Sequence, residues 1–287
     1  MSHRSDVKSA SEDCEIHLAG ELLDFPVGDP EFLVVEPPNL CRFMPGQTAP
    51  ATGSTKAAWR NLFDTKVLNK DCEVTGFPRF YTEHASGSAG PSNPNHIFEI
   101  HPATAISCNP ALAPLEFKKF FVGFQGLKHI QPASADQCLE TLRLWVRFHN
   151  EGGEGWYEFF EQKSPRCGNL AIIEAASVPK EWVRKTGGGH TAIARVTADG
   201  GTRRTLKLYS VEGTAADEWL ERRLAGKKAS SSDPRMLHGF FTYDYFAMLR
   251  EISPGGKWST STQWTEVHFP MAFVVLGPTT VVPWTEQ

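Results

Sequence analysis

The sequence predicts a mainly β protein, and three observations lead to this fold class. Short segments in which apolar and polar residues alternate recur along most of the chain, and glycine- or proline-rich turns separate them. Only two segments have clear helical spacing, and each lies between groups of strands. The chain of 287 residues is 40% apolar and 22% charged, which is ordinary for a globular protein that buries one large core or two smaller ones.

The first half of the chain predicts a small barrel. Strand patterns cover residues 15–18, 31–36, 72–81 and 95–106. Ser54 or Thr55 is placed to cap a short helix over residues 56–63, in which Trp59, Leu62 and Phe63 share one face. Strands, one helix and then two more strands are the order of a Greek-key barrel of the oligonucleotide/oligosaccharide-binding (OB) type.

The second half repeats this theme. Strand patterns cover residues 142–148, 156–162, 170–175, 191–196, 206–209 and 236–249, and Thr214 is placed to cap a helix that ends at Gly226. The sequence therefore predicts two tandem OB-like units, each with one short helix. The expected divisions are a disordered N-terminus over residues 1–13, a first domain over 14–107, a linker over 108–114 and a second domain over 115–287, with 266–276 as an extra C-terminal strand.

Composition narrows the expected partners and compartment. The formal charge is −4, from 33 acidic and 29 basic residues without long blocks of one sign, so a nucleic-acid partner is not expected. The polar N-terminus lacks the apolar run of a secretory signal, and no window has the apolar length of a membrane span, so a cytoplasmic protein is expected. The six cysteines are scattered without a Cys-x-x-Cys pair, which predicts free, partly buried thiols.

The segment from Asn95 to Pro102 is unusual because it places two histidines and a carboxylate in an apolar strand. Alternation sends His96 to one face and both Glu99 and His101 to the other. Pro102 has no backbone N–H, which predicts that regular strand pairing ends there.

Residues 13–107 resemble a group of bacterial proteins of unassigned function. The resemblance is carried by Glu15-Ile16-His17-Leu18, Val34-Val35-Glu36-Pro37, Val74-Thr75-Gly76-Phe77, His84 and Pro94-Asn95-His96-Ile97-Phe98-Glu99-Ile100-His101-Pro102. The loop over residues 85–93 lacks the Gly-Gln-Thr-Gly motif of the group, and Glu15 stands where the group has an aspartate. The resemblance implies a compact β-barrel with His17, Glu36, Glu99 and His101 inside it, and it implies no established activity.

Two hypotheses account for these four polar residues, with His84 or His96 as further members. Imidazole and carboxylate groups together can hold a divalent metal such as zinc, manganese or iron, or can act as a general acid and base. The favoured hypothesis is a hydrogen-bonded network that satisfies buried polar groups and fixes strand register. No cofactor is therefore expected, and a divalent metal is the alternative.

Aromatic and basic residues of the second half form the other candidate site. The candidates for partner binding are Arg143, Trp145, Arg147, Trp156, Tyr243 and Tyr245. Some of these side chains must face outward at a period of two, although core filling is the simpler explanation for most rings. The predicted function is a non-catalytic binding or adaptor protein whose partner is a peptide or a protein, with a second copy of the chain as one such partner. The alternatives are a metal-dependent hydrolase or nuclease and a single-stranded nucleic-acid-binding protein.

Overall fold

The protein is described by a computed structural model. The description covers residues 2–3, 16–21, 32–49, 51–80, 98–109, 112–123, 133–151, 154–162, 167, 170–198, 201–226, 236–244, 247, 250, 263–267 and 271–278. The fold is mainly β and divides into two compact units, one of residues 1–122 with 213–215 and one of residues 123–212 with 216–287. None of the described helices has the length and apolar content needed to span a bilayer.

In the described part of unit 1 there are one six-stranded sheet and one α-helix. Its strands are β1 (Ser2–His3), β2 (Leu18–Glu21), β3 (Phe32–Val35), β4 (Glu73–Phe80), β5 (Phe98–Ser107) and β6 (Leu115–Glu116), and helix α1 spans Lys56–Lys66 between β3 and β4. The strand order is β1-β2-β3-β5-β4, and β6 adds to β5. The β3 and β5 strands pair in parallel, whereas the other pairs are antiparallel.

An aromatic core joins α1 to the end of unit 1. Trp59 stacks on Phe63 at 5.7 Å between ring centroids and meets Phe120 edge-on at 5.5 Å. Thr55 precedes the helix as predicted, but its hydroxyl donates to the carbonyl of Leu40 instead of capping α1. Because Phe120 and its neighbours complete this core, the first compact unit extends to residue 122, beyond the predicted linker over residues 108–114.

Unit 2 contains a ring of five strands. The ring strands are β9 (Leu170–Ser177), β11 (Gly189–Thr197), β12 (Arg203–Tyr209), β13 (Met236–Tyr243) and β15 (Met271–Pro278), and β10 (Val183–Thr186) pairs with β11 outside the ring. They follow the order β10-β11-β12-β15-β13-β9, and β9 also pairs with β11, which closes the ring. Only the β12 and β15 pair is parallel. Alternate residues of β11 and β12, such as Ala194, Val196 and Leu208, are buried inside.

The described part of unit 2 also contains a second sheet and two α-helices. The sheet has the order β14-β7-β8, from β14 (Thr265–Glu266), β7 (Arg143–Glu151) and β8 (Glu154–Gln162). Helix α3 (Ala215–Leu224) begins after Thr214 as predicted, whereas helix α2 (Ala133–Thr141) and strand β10 were not predicted. The predicted strand over 236–249 ends at Tyr243, and the predicted strand over 266–276 consists of β14 and β15.

All five cysteines in the part of the chain that the structure describes are paired, so the prediction of free thiols is wrong for them. Cys72 is bonded to Cys108 and Cys138 to Cys167, and Cys41 is also a disulfide cysteine. Residues 73 and 107 are opposite one another on β4 and β5, so Cys72 and Cys108 lie one position beyond a cross-strand pair. Sequence spacing could not show this proximity, because the long connection between the two strands hides their register.

Candidate functional site

A β-bulge in β5 positions the histidine that the sequence singled out. Gly76 pairs with Ala103 and Pro78 pairs with Ile100, so His101 and Pro102 together lie opposite a single residue of β4. The predicted end of pairing at Pro102 is wrong, because β5 continues to Ser107. The bulge accommodates the proline, since the missing N–H falls where the ladder is already interrupted.

Gly76 allows the close approach of β4 to this bulge. A Cβ atom at residue 76 would lie 2.4 Å from the Cγ2 of Ile100, 2.8 Å from the Cα of Ala103 and 2.8 Å from the carbonyl oxygen of Pro102. Such distances are far inside van der Waals contact, so a side chain at this position would push the two strands apart.

Glu36 connects β3 to both sides of the bulge. Its backbone N–H donates to the carbonyl of Ile100 at 3.0 Å, and its carbonyl accepts from the N–H of Ala103 at 2.9 Å. Its side chain, 2% exposed, bridges two imidazoles. One carboxylate oxygen pairs with Nδ1 of His101, and the other lies 3.1 Å from Nε2 of His17. Leu18 pairs with Val35, so the register of β2 and β3 brings His17 opposite Glu36.

Glu99 and Arg79 form the second half of the cluster. The two residues are opposite one another on β5 and β4, and Nη1 of Arg79 lies 3.6 Å from Oε2 of Glu99. Both side chains are buried. We call His17, Glu36, Arg79, Glu99 and His101 the polar seam.

Electrostatic interactions keep Glu36 ionised. Burial raises the pKa of this carboxyl, but the neighbouring charges of His17, His101 and Arg79, together with the His101 hydrogen bond, outweigh burial and lower the pKa well below 4.5. The seam places two carboxyl groups among one guanidinium and two imidazoles, so each acidic side chain has a basic neighbour. Near-neutral clusters are the form in which charged groups are tolerated away from water.

The seam also contains a set of possible metal ligands. Glu36, Glu99 and His101 each offer one ligand atom, and these atoms lie within 4.8 Å of one another. This combination suits zinc, manganese or iron. In the present arrangement, however, both Glu36 oxygens contact imidazoles and Glu99 contacts Arg79, so the fold already supplies positive partners to both carboxylates.

The structure brings together the four seam residues that the sequence selected, and it adds Arg79. Arg79 was missed because the register of β4 and β5 decides which residue lies opposite it. No short turn joins these two strands, so the sequence does not reveal their register. His84 and His96 lie outside the described residues.

The candidates for partner binding fall into separate places. Arg143, Trp145 and Arg147 alternate on the outward side of β7, whereas Leu144 and Val146 are buried. Tyr243 is 5% exposed and its hydroxyl donates to Glu161, so its burial contradicts an exposed role. Tyr245 and the side chain of Trp156 lie outside the described residues.

The outward side of the β7 sheet carries a group of exposed rings. Trp145 lies 5.3 Å from Phe160 and Phe160 lies 6.2 Å from Trp264, measured between ring centroids. Phe160 is 53% exposed and Trp264 is 42% exposed. The guanidinium of Arg147 lies 4.6 Å from the centroid of Trp264. We call Trp145, Arg147, Phe160 and Trp264 the aromatic face.

Ion pairs hold the cations of this sheet in place. Arg147 pairs with Glu158, whose second neighbour is Nε2 of His149 at 3.3 Å, and Arg143 lies 3.5 Å from Glu266. The hydrogen bond from Arg147 is the largest cause of the lowered pKa of Glu158. The arginine is therefore oriented against the indole ring before any partner binds.

In unit 2, the buried histidine His190 belongs to a hydrogen-bond network that the sequence did not predict. Nδ1 of His190 lies 2.8 Å from Oδ1 of Asp217, which also accepts from the Ser210 hydroxyl at 2.7 Å. Asp217 lies in the first turn of α3, where a carboxylate is favoured by the helix dipole. This arrangement attaches α3 to β11 and β12. Sequence patterns could find the helix position of Asp217 but not its histidine partner.

No protein-family model matches the chain, and neither the curated proteins nor the solved structures contain a match.

Proposed function

We propose that this chain is a non-catalytic binding protein that recognises a peptide segment of its partner through the aromatic face. The single observation that carries the proposal is the exposure of Phe160 and Trp264 in one ring cluster with an oriented arginine. Exposed clusters of large rings are unusual on a surface without a partner, and tryptophan and arginine dominate binding energy at protein interfaces.

We propose further that the two units are OB-like. In unit 2, the ring strands in chain order are β9, β11, β12, β13 and β15. Around the ring they follow the Greek-key order first-second-third-fifth-fourth and return to the first, and α3 lies between the third and the fourth in sequence. The sheet of unit 1 has the same order, with α1 in the corresponding position. In both units the third and fifth strands pair in parallel. Barrels of this kind serve commonly as binding modules.

The polar seam supports a binding role better than a hydrolytic one. Its two carboxyl groups already contact imidazole and guanidinium partners, and His101 is fully buried. The disulfides favour an oxidising compartment over the cytoplasm as the place where the protein acts.

Selection from a random peptide library displayed on phage tests this proposal. We expect enriched peptides to bind wild-type protein, and to lose about tenfold to hundredfold in affinity with Phe160→Ala or Trp264→Ala, because removing a central ring from an interface costs about 1–3 kcal/mol. Trp182→Ala is the matched control, since Trp182 is 39% exposed in the same unit but lies outside the aromatic face. Absence of enrichment, or equal binding by the three variants, would contradict the proposal.

A further inference from the structure

The strands β10, β11 and β12 concentrate positive charge in a chain that is acidic as a whole. Residues 180–209 contain seven basic residues and two acidic ones, a local net charge of +5, whereas the formal charge of the chain is −4. This segment forms one continuous antiparallel sheet, so the charges are close in space as well as in sequence.

Strand register places four of these cations on the outward side. On β11, Ala192, Ala194 and Val196 are buried, so Arg195 faces outward. Arg203 and Lys207 flank the residue opposite Arg195 and are therefore its diagonal neighbours. Arg184 of β10 is opposite Thr191, which in turn is opposite Tyr209. We call Arg184, Arg195, Arg203 and Lys207 the basic face.

Three of these four cations pair with no carboxylate among the described residues. Lys207 lies 3.1 Å from Asp244, and Arg184 donates to backbone carbonyls. Neither Arg195 nor Arg203 forms an ion pair with any carboxylate in the part of the chain that the structure describes, and both side chains are exposed. About three positive charges therefore remain available to an anionic ligand.

Aromatic rings accompany the charges. Tyr209 ends β12 on the outward side, with the ammonium of Lys207 at 5.0 Å from its ring centroid. Trp182, 39% exposed, immediately precedes β10 in a 3-10 turn that packs against β11. Cations spaced along a sheet beside one exposed indole and one half-buried phenol ring match a ligand that alternates phosphates with flat bases.

We infer that the basic face binds a single-stranded nucleic acid, with Arg195 and Arg203 contacting phosphates and Trp182 stacking on a base. This site is separate from the aromatic face and does not depend on the proposed peptide binding. The low overall charge hides it, because the excess of acidic residues elsewhere cancels the local excess of basic ones.

The test is fluorescence anisotropy of a labelled oligo-dT probe of about 16 nucleotides over a series of salt concentrations. With about three phosphate contacts, the logarithm of the association constant should fall with the logarithm of salt concentration with a slope of about −2. Each contact contributes about eightfold at about 50 mM salt, so the double variant Arg195→Ala/Arg203→Ala should bind about sixtyfold more weakly, with a slope of about −0.7.

Two controls separate this inference from general charge attraction. The double variant Lys118→Ala/Lys119→Ala removes the same charge from exposed positions of unit 1 and should bind as wild type does. Trp182→Ala should weaken binding about tenfold without changing the slope, since stacking releases no counterions. Phe160→Ala should leave binding to the probe unchanged, which distinguishes this face from the aromatic face.

Three results would overturn the inference. The first is absence of binding at about 50 mM salt, where phosphate contacts are strongest. The second is equal weakening by the two double variants, which would indicate net charge rather than a site. The third is equal displacement of the probe by a sulfated polysaccharide and by unlabelled oligo-dT, compared at equal anionic charge, together with unchanged probe binding by Trp182→Ala. This result would assign the face to polyanions in general, because bases would make no contribution. Unchanged thermal unfolding of each variant verifies that it is folded.

Discussion

Replacement of Gly76 by alanine is the sharpest test of how the fold builds the polar seam. The added methyl group would meet three heavy atoms at 2.4 to 2.8 Å, and two of them belong to the backbone of β5. Because backbone atoms move only with their strand, β4 and β5 must separate at the bulge that carries His101. Overpacking of this kind costs about 1–3 kcal/mol. The lower entropy of an unfolded chain with alanine offsets about 0.4–1 kcal/mol, which leaves a net loss of about 1.5 kcal/mol.

Gly53→Ala is the matched control for this substitution. Gly53 belongs to the same unit, and a Cβ atom there would meet no other atom within 4 Å. We expect this variant to gain about 0.5 kcal/mol, so the two variants should differ by about 2 kcal/mol. Equilibrium urea unfolding measures the difference as a shift in midpoint at unchanged slope. If Gly76→Ala unfolds at the wild-type midpoint, the close approach of β4 to the bulge is wrong.

Three further predictions concern the seam and the disulfides. Because the pKa of Glu36 is lowered, its ion pairs contribute fully to the free energy of unfolding above pH 4.5 and lose this contribution as pH falls below that value. The stability difference between wild type and Glu36→Gln, measured by urea unfolding, should therefore shrink in acid. An equal difference at pH 3 and pH 7 would contradict the ion pairs of Glu36. The Cys72–Cys108 and Cys138–Cys167 bonds join residues 36 and 29 positions apart, so reduction should cost about 3.5–4 kcal/mol for each bond; detection of free thiols in the unreduced, denatured protein would refute the pairing. Because Arg79 already neutralises part of the seam, a chelator should leave the melting temperature of the wild type unchanged, whereas the Arg79→Met variant should bind zinc and be stabilised by it. Calorimetry in the presence of zinc measures both effects. Tight zinc binding by the wild type would refute the conclusion that Arg79 takes the place of a metal ion.

The mainly β fold could be predicted because its signals are local. Alternation identified β7 and β11, and capping residues with helical spacing identified α1 and α3. Helix α2 was not predicted because its sequence, Ala-Ser-Ala-Asp-Gln-Cys-Leu-Glu-Thr, has only a weak apolar stripe. The division between the compact units falls after the predicted linker because Phe117 and Phe120 belong to the core around Trp59, and an apolar run in the sequence does not show which core it enters.

The candidate site could be predicted only in part, for the same reason. Glu99 and His101 lie on one strand, and their common burial follows from alternation. Their meeting with Glu36 depends on the parallel pairing of β3 and β5, and the meeting of Glu99 with Arg79 depends on the register of β4 and β5. Both are set by tertiary packing across long connections, which leave no mark in a short sequence window.

Arg79 changes the chemistry that the four predicted residues imply. Two carboxylates and two imidazoles alone would form a plausible set of ligands for a divalent cation. With the guanidinium 3.6 Å from Glu99, the fold already supplies one positive charge beside the two carboxyl groups. A divalent ion added to the seam would leave an excess of one positive charge in a buried place, unless Arg79 moved into solvent. Since Arg79 is 7% exposed and lies within the β4 strand, that movement would disrupt the sheet, and the cost of disruption opposes metal binding.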